Sequence, residues 1–272
     1  MITNEQKEII QEQGYLVIPD VVPIALCQRV IEAILDYAGV KPDNRDTWYQ
    51  GRYAGHGIIP LHHHQALWDI RQHPQVHKVF SQLYDDEKLW VSMDRASYKP
   101  PAAVETRGWK QAPVHWDCDP WQPLQYSLQG LVYLTDTRAD QGAFSCVPSI
   151  FRNLESWCEA HQDDADRRHP LVPDNELIAV EGKAGSLVVF NRLMPHTGAL
   201  NRSSRHRFVQ YVTMQPVSNE QERLRRVTDW KEKMPPDWAI SQKIPEQEIP
   251  EPGKAALLTE LGEKLVGVET WV

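Results

Sequence analysis

Apolar residues recur at helical spacing in the first third of the chain. The clearest case is 23–38, whose apolar positions include Leu26, Val30, Ile31, Ile34 and Leu35. Shorter helices are predicted at 4–13 and 74–84, and the apolar run Tyr-Leu-Val-Ile at 15–18 predicts a strand. Residues 1–85 are therefore expected to form a helical support for the remainder of the chain.

From about residue 88 the pattern changes to short runs rich in β-formers, separated by Gly, Pro and Asp. These runs are 88–99, 125–135, 143–147, 176–181, 186–191 and 206–215. Many short strands at moderate spacing are typical of a sandwich or barrel. The polar segment 151–175 interrupts them and is predicted to be a surface insertion of helix and loop, a candidate cover for the mouth of a site.

The last quarter returns to helical and proline-rich sequence. A helix is predicted at 218–233, followed by a Pro-rich stretch and a short helix at 255–266. No internal repeat or low-complexity tract separates these parts. We therefore predict one domain over 1–272, with a β core at about 88–215 and a C-terminal extension at 216–272.

Composition excludes several classes of protein. A chain of 272 residues with 41% hydrophobic residues and ten tryptophans can bury a substantial core. The net charge of −8 argues against a nucleic-acid binder, which needs a basic surface. No apolar run approaches the roughly 20 residues of a membrane span, and no secretory signal is recognised. We expect a cytoplasmic protein with a small-molecule substrate, and the sequence leaves its oligomeric state open.

The candidate chemistry begins with His115 and Asp117 in Val-His-Trp-Asp-Cys-Asp. On a strand these residues, at i and i+2, face the same way, while Trp116 faces the opposite way. A His-x-Asp pair alone is common by chance. The second β-rich region adds His196 after an apolar strand, and two imidazoles with one carboxylate are the ligands of a facial-triad ferrous site.

A cation follows on the next predicted strand. Arg207 shares a strand face with Val209 and Tyr211, so its side chain is not expected to point only at water. Two interpretations remain open for it, a bidentate clamp on a ligand carboxylate or a structural salt bridge. Arg202 and Arg205 are rival cations in a polar turn.

Two aromatic and histidine-rich segments within the predicted irregular region 40–65 have open roles. His62-His63-His64 is expected to be an exposed loop rather than a second metal site, because three consecutive side chains cannot all face one ion. The other segment either lines a substrate pocket or packs over the core, and it contains Trp48, Tyr49, Arg52, Tyr53 and His56. Trp116, beside the candidate ligands, either borders the substrate or packs.

Several motifs, in this order, resemble the phytanoyl-CoA dioxygenase family of iron(II)- and 2-oxoglutarate-dependent oxygenases. They are Gly-Tyr-Leu-Val-Ile-Pro at 14–19, Ser-Tyr-Lys-Pro-Pro at 97–101, Val-His-Trp-Asp at 114–117, Asp-Gln-Gly-Ala-Phe-Ser-Cys-Val-Pro at 140–148, and Ala-Gly-Ser-Leu-Val-Val-Phe-Asn at 184–191, with His196, Asn201 and Arg207 at the family's offsets. After Pro148 the chain departs from the family's frequent Gly-Ser-His and has Ser-Ile-Phe. The substrate-selecting region upstream of Lys99 matches nothing specific.

The resemblance implies a mainly β fold with flanking helices, a double-stranded β-helix or jelly roll. It implies Fe(II) held by His115, Asp117 and His196, with 2-oxoglutarate bound by Arg207 and Lys99 and dioxygen as the second cosubstrate. For Lys99 the alternative is an exposed lysine before a Pro-Pro turn. The implied reaction hydroxylates a small organic molecule and releases succinate and CO2.

Asp117 also distinguishes among reaction types. The resemblance implies hydroxylation rather than halogenation, because iron-dependent halogenases of this type generally lack the carboxylate. Two other functions remain as alternatives: an inactive small-molecule-binding protein on the same fold, or a zinc-dependent hydrolase with the same ligands and a bound water.

Overall fold

The computed structural model describes residues 2–50, 53, 56–101, 112–122, 126–164, 166–244 and 247–271. The helices are α1 (Asn4–Gln13), α2 (Ile24–Ala38), α3 (Gln65–Arg71), α4 (Pro74–Tyr84), α5 (Pro148–Arg152), α6 (Leu154–Ala160), α7 (Glu220–Glu232), α8 (Asp237–Ser241) and α9 (Glu260–Val266). The strands are β1 (Tyr15–Ile18), β2 (Ile58–Ile59), β3 (Leu89–Val91), β4 (Ala96–Lys99), β5 (Leu128–Tyr133), β6 (Phe144–Cys146), β7 (Ile178–Val180), β8 (Leu187–Asn191), β9 (His196–Gly198), β10 (Arg207–Tyr211) and β11 (Met214–Pro216).

The first predicted elements form as expected because their ends carry strong local signals. Thr3 and Gln6 form a capping box at the start of α1. Gly14 ends that helix in the left-handed region at φ 78°, a conformation that costs glycine little. Strand β1 follows at once and pairs antiparallel with β8, so the chain enters the main sheet at its edge.

A large sheet separates two apolar layers. Its antiparallel strands run in the order β1–β8–β5–β10–β4–β2, and a smaller sheet has the order β7–β6–β9. One face of the large sheet packs on the helices, and the other faces the small sheet through a cluster that includes Tyr133, Phe144 and Phe190. The predicted jelly-roll class is confirmed, although the sheets do not close into one continuous barrel.

Several boundaries differ from the sequence expectation. The run 88–99 divides into β3 and β4, and β3 leaves the large sheet to pair with β11. The predicted irregular region contains β2 and runs into helix α3, which the sequence analysis missed because its seven residues are mostly buried and show no polar face. Helix α9 begins only at Glu260, after Thr259 caps it.

The C-terminal extension completes the helical layer. Trp230 of α7 and Leu265 of α9 are buried in the same cluster as residues of α2 and β4. Among the described residues, no helix has both the length and the apolar character needed to cross a membrane.

Candidate metal centre

The first two candidate ligands, His115 and His196, are partners in an antiparallel bridge. Each backbone N–H donates to the other residue's carbonyl at 2.9 Å, and the imidazole centroids lie 4.7 Å apart. Asp117 lies two residues beyond His115, and one ligand atom from each of the three side chains falls within 4.8 Å of the others. The structure therefore brings the three predicted residues together, and their role as iron ligands stays a prediction.

Both imidazoles present a lone pair to the centre of this cluster. His115 Nδ1 bonds to the Pro113 carbonyl and His196 Nδ1 to the Met194 carbonyl, each at 3.0 Å. A carbonyl accepts, so each Nδ1 carries the hydrogen and each Nε2 is free to bind a cation. These Nε2 atoms lie 3.6 Å from the Asp117 oxygens, so three electron-rich groups converge on a space that suits a metal ion.

Asp117 is held as a carboxylate. Burial acts to raise its pKa, but the electrostatic interaction with the His196 imidazole and the hydrogen bond from Gln129 Nε2 to Oδ2, at 2.8 Å, lower the pKa overall. Burial lowers the pKa of His196, which keeps that ring neutral. The Asp117 side chain is 36% exposed and that of His196 11%, so the cluster opens to solvent on the Asp117 side.

Two cations, Lys99 of β4 and Arg207 of β10, lie beside Gly198, two residues after His196 on β9. Arg207 is buried and donates from Nε to the Gly142 carbonyl at 2.8 Å and from its guanidinium to Ser97 Oγ at 3.0 Å. Lys99 Nζ donates to the carbonyls of Gly198 and Ala199. A Cβ on Gly198 would lie 3.1 Å from Lys99 Nζ and 3.5 Å from a terminal nitrogen of Arg207, so the cations converge there.

Neither cation is neutralised by an acid that the structure describes. Burial lowers the pKa of Lys99 well below its ordinary value, and the neighbouring Arg207 lowers it further. Burial likewise lowers the pKa of Arg207. The exposed-lysine alternative is wrong because the ammonium is turned inward. The salt-bridge alternative for Arg207 finds no partner within the described ranges.

Asn201 positions the turn that precedes Arg207 and ties it to the chain just after Lys99. Its Nδ2 donates to the carbonyls of Pro100 at 2.9 Å and Arg205 at 2.6 Å, and its Oδ1 accepts from Ser203. Asn201 thereby ties the end of β4 to the turn before β10. An asparagine at this offset has a structural reason, since it holds the strands of Lys99 and Arg207 in register.

Two candidate substrate residues pack elsewhere. Trp116 is fully buried, donates to the Leu193 carbonyl at 2.8 Å and packs against Trp157 of α6. Trp48 packs on His206, with ring centroids 4.7 Å apart, beside Tyr98 on the helical side of the large sheet. Because successive strand residues face opposite sides, this is the face opposite Arg207. These contacts are those of packing residues, and the substrate roles of Trp116 and Trp48 stay predictions.

The contacts of the remaining residues in the aromatic segment do not decide between substrate lining and packing. His56 is exposed and accepts from the Ile58 N–H at 2.9 Å, and its substrate role stays a prediction. Tyr49 hydroxyl donates to the Pro101 carbonyl, and Tyr53 hydroxyl to that of Trp48. Arg52 lies outside the described residues.

The His62-His63-His64 segment is not an exposed loop. His62 and His63 are each 1% exposed, and only His64 is at the surface, where it caps α3. His62 bonds to the Met93 carbonyl and to Gln247, and His63 to the Met234 carbonyl. Burial lowers the pKa of His62 to about 3 and that of His63 to about 4. They join the C-terminal extension to the core, and the described part of the chain groups no second metal-ligand set around them.

Three residues near the cluster were missed by the sequence analysis. Gln129 orients Asp117, Arg192 follows β8 at the same end of the sheet, and His169 lies with its ring centroid 6.4 Å from His115. His169 belongs to the polar 151–175 segment. The carbonyl of Arg168 in that segment accepts from the Trp116 N–H at 3.1 Å, so the predicted insertion does reach the candidate centre. No local motif marks these residues, since their positions depend on distant strands.

Residues 10–209 match the phytanoyl-CoA dioxygenase (PhyH) family. The chain belongs to this family. A Dictyostelium discoideum protein named "Putative phytanoyl-CoA dioxygenase" is 24% identical over an alignment of 264 residues. The match covers 78% of this chain and 75% of that protein. Family membership supports an oxidoreductase of the dioxygenase type.

Solved structures share the fold at low sequence identity. GlcNAc Inducible Gene 2 (GIG2, DUF1479) from Candida albicans has a TM-score of 0.75 and 15% identity, covering 100% of this chain and 78% of its own. The epimerase SnoN, solved with Fe3+, alpha ketoglutarate and nogalamycin RO, has a TM-score of 0.56 and 14% identity, covering 94% of this chain and 96% of its own. These two likenesses bear on the fold alone.

Proposed function

We propose that this protein is an Fe(II)- and 2-oxoglutarate-dependent dioxygenase that hydroxylates a small organic molecule. The observation that carries the proposal is the combination of the His115–Asp117–His196 cluster with two inward cations, Lys99 and Arg207. A facial ligand set leaves positions for a chelating cosubstrate and oxygen. The cations suit the remote carboxylate of a dicarboxylic acid. A zinc hydrolase gives these cations no role, and an inert binder gives none to the intact set of metal-ligand side chains.

The donor set suits ferrous iron. Two imidazoles and one carboxylate are mixed nitrogen and oxygen ligands, and the hydrogen bond from Gln129 restrains the carboxylate. When bound, iron and 2-oxoglutarate supply oxidation of a substrate C–H bond by dioxygen, with release of succinate and CO2. The chain's own residues bind, orient and shield these groups.

The cosubstrate contacts follow from the register of the strands. Ser97 and the Gly142 carbonyl hold the Arg207 guanidinium, and the carbonyls of Gly198 and Ala199 hold the Lys99 ammonium. Both cations are thus oriented before a ligand arrives, which reduces the entropy lost on binding. A retained Asp117 occupies the ligand position that halogenases leave open, which favours hydroxylation as the outcome.

The proposal is tested with anaerobically purified protein. Adding ferrous iron and 2-oxoglutarate should produce a weak visible metal-to-ligand charge-transfer band, and adding oxygen should release succinate, faster with the true substrate. In Arg207→Gln the band should need much more 2-oxoglutarate, whereas the exposed-turn control Arg202→Gln should behave as the parent protein. A protein that gives neither band nor succinate at saturating cosubstrate is not this enzyme.

A further inference from the structure

The end of the large sheet beside Asp117 carries an arginine that the proposed chemistry does not use. In the β5–β8 pair, Gln129 is the partner of Phe190, whose ring faces the small sheet. Arg192 lies two residues after Phe190, and its N–H donates to the Ser127 carbonyl at 2.9 Å, which continues the ladder beyond β8. By alternation, Gln129 and Arg192 are therefore on the inner face with the candidate centre.

Among the residues that the structure describes, the guanidinium of Arg192 lacks partners of the kind that hold two buried arginines elsewhere in the fold. Buried Arg226 donates to the carbonyls of Val91, Leu265 and Val266, and buried Arg71 donates to those of His62 and Asp94. Within the described residues Arg192 makes no side-chain hydrogen bond or ion pair. Its Nε is buried without a partner, whereas its terminal nitrogens are not among the buried unpaired atoms.

Arg192 is also electrostatically close to the candidate centre. Its charge is among those that act on Asp117 and on the Cys118 thiol, and Cys118 Sγ donates to the Arg192 carbonyl. Neighbouring Gln129 gives one amide hydrogen bond to Asp117, while its Oε1 is buried without a donor. The Arg192 guanidinium and Gln129 Oε1 thus lie on the solvent-open side of the cluster with hydrogen-bonding capacity that the described residues leave unused. Such unused capacity indicates a binding site that a ligand completes.

We infer that Arg192 binds an anionic group of the primary substrate, a carboxylate or a phosphate, beside Asp117. This inference rests on the proposed function, because it assigns the substrate class of the same site. A guanidinium presents paired N–H donors that match either anion. The substrate is then a small organic acid or phosphate ester whose C–H bond lies on the Asp117 side. Lys99 and Arg207, which lie beside Gly198 of β9, remain for the cosubstrate.

The test uses protein loaded anaerobically with iron and 2-oxoglutarate. The probes are small organic acids, each paired with its methyl ester, and phosphate monoesters, each paired with its free alcohol. Titration calorimetry gives the Kd for each probe, and succinate release on adding oxygen gives its stimulation of turnover. We expect tighter binding of the charged member of at least one pair, and the two kinds of pair distinguish a carboxylate from a phosphate.

Variants assign that preference to the side chain. Arg192→Gln should weaken binding of the charged member about 10- to 100-fold without a matching change for its neutral counterpart. Arg192→Lys should restore part of the affinity, and Arg202→Gln should leave both members unchanged. A merely structural role would shift the charged and neutral members together.

The inference is overturned if every charged probe binds no better than its neutral partner, if no probe binds, or if Arg192→Gln keeps the preference. Failure of the proposed function has a different signature. In that case no charge-transfer band forms and no succinate is released with any compound, although calorimetry still measures the anion preference of Arg192.

Discussion

Lys99 and Arg207 are direct partners in the antiparallel β4–β10 pair, so two cations lie opposite each other on the inner face of the large sheet. Like charges in this position are destabilising by up to about 1 kcal/mol. The described partners of both groups are neutral, namely carbonyls and the hydroxyls of Ser97 and Tyr211. The described residues thus give neither cation a carboxylate partner, which is consistent with the proposed binding of a dicarboxylate.

Removing the lysine charge should therefore stabilise the ligand-free protein. The folded-state pKa of Lys99 is lowered, first by burial and then by Arg207. The charged ammonium therefore destabilises the folded state, and this destabilisation develops as the pH falls below the unfolded-state pKa of about 10.4. We expect Lys99→Met to raise the free energy of unfolding by about 1 kcal/mol and to weaken 2-oxoglutarate binding. Thermal denaturation with and without 2-oxoglutarate measures both effects.

Lys183, which is 79% exposed and paired with Asp136, offers the matched control. Lys183→Met should leave the stabilisation by 2-oxoglutarate unchanged. A Lys99→Met protein that is less stable than the parent and binds 2-oxoglutarate normally would contradict the assignment.

Filling the space at Gly198 should separate cosubstrate binding from metal binding. A Cβ there would be 3.1 Å from Lys99 Nζ, and the extra methyl groups of valine would enter the space between the cations. We expect Gly198→Val to lower 2-oxoglutarate affinity at least about tenfold while iron content stays near that of the parent protein. Equilibrium binding and metal analysis on the same preparation measure the two quantities. Parallel losses of iron and 2-oxoglutarate would instead indicate general distortion of β9.

Removing the candidate carboxylate should abolish hydroxylation. Asp117→Ala leaves the Nε2 atoms of His115 and His196 with no anionic partner and Gln129 with no acceptor. We expect loss of iron affinity and of substrate-dependent succinate release, measured by metal analysis and chromatography. The exposed neighbour Asp119, varied to Asn, should retain both. Full activity of Asp117→Ala with unchanged iron content would refute the ligand assignment.

A partly buried carboxyl beside the histidine segment predicts a pH dependence of stability. Burial raises the pKa of Glu251 to about 7, against the smaller opposing effect of the hydrogen bond from the His63 N–H. The folded state therefore binds more protons than the unfolded state between about pH 4.5 and 7, and stability falls as pH rises through this window. In the parent protein we expect the free energy of unfolding to fall by about 1 to 3 kcal/mol across this window. Glu251→Gln, which keeps an oxygen acceptor, should remove that fall.

Urea denaturation of both proteins at about pH 5 and about pH 8 measures this difference. The exposed acid Glu260 provides the control, and Glu260→Gln should show the parent protein's pH dependence. The same slope in Glu251→Gln and the parent would mean that another group titrates in this window.

Short-range patterns predicted much of the fold because they act through local geometry. The capping box and Gly14 delimit α1, and the two-residue alternation of strands places Arg207 on the inner face. Helix α3 and the burial of His62 escaped prediction, since both depend on packing against the C-terminal extension. Trp48 packs on His206 on the helical side of the sheet, and nothing local in the sequence encodes that placement.

The candidate site also combines features that local sequence predicts with features that only tertiary structure determines. Two-residue spacing set His115 and Asp117 on one side of their segment. The apolar strand before His196 and the strand face of Arg207 made those two residues candidates, and the family resemblance added Lys99. Backbone hydrogen bonds between distant segments, such as the His115–His196 bridge, determined their distances and left the Arg192 side chain without a hydrogen-bond partner among the described residues. Spacing along a strand follows from covalent geometry, whereas such pairings emerge only when the whole chain buries its apolar faces at once.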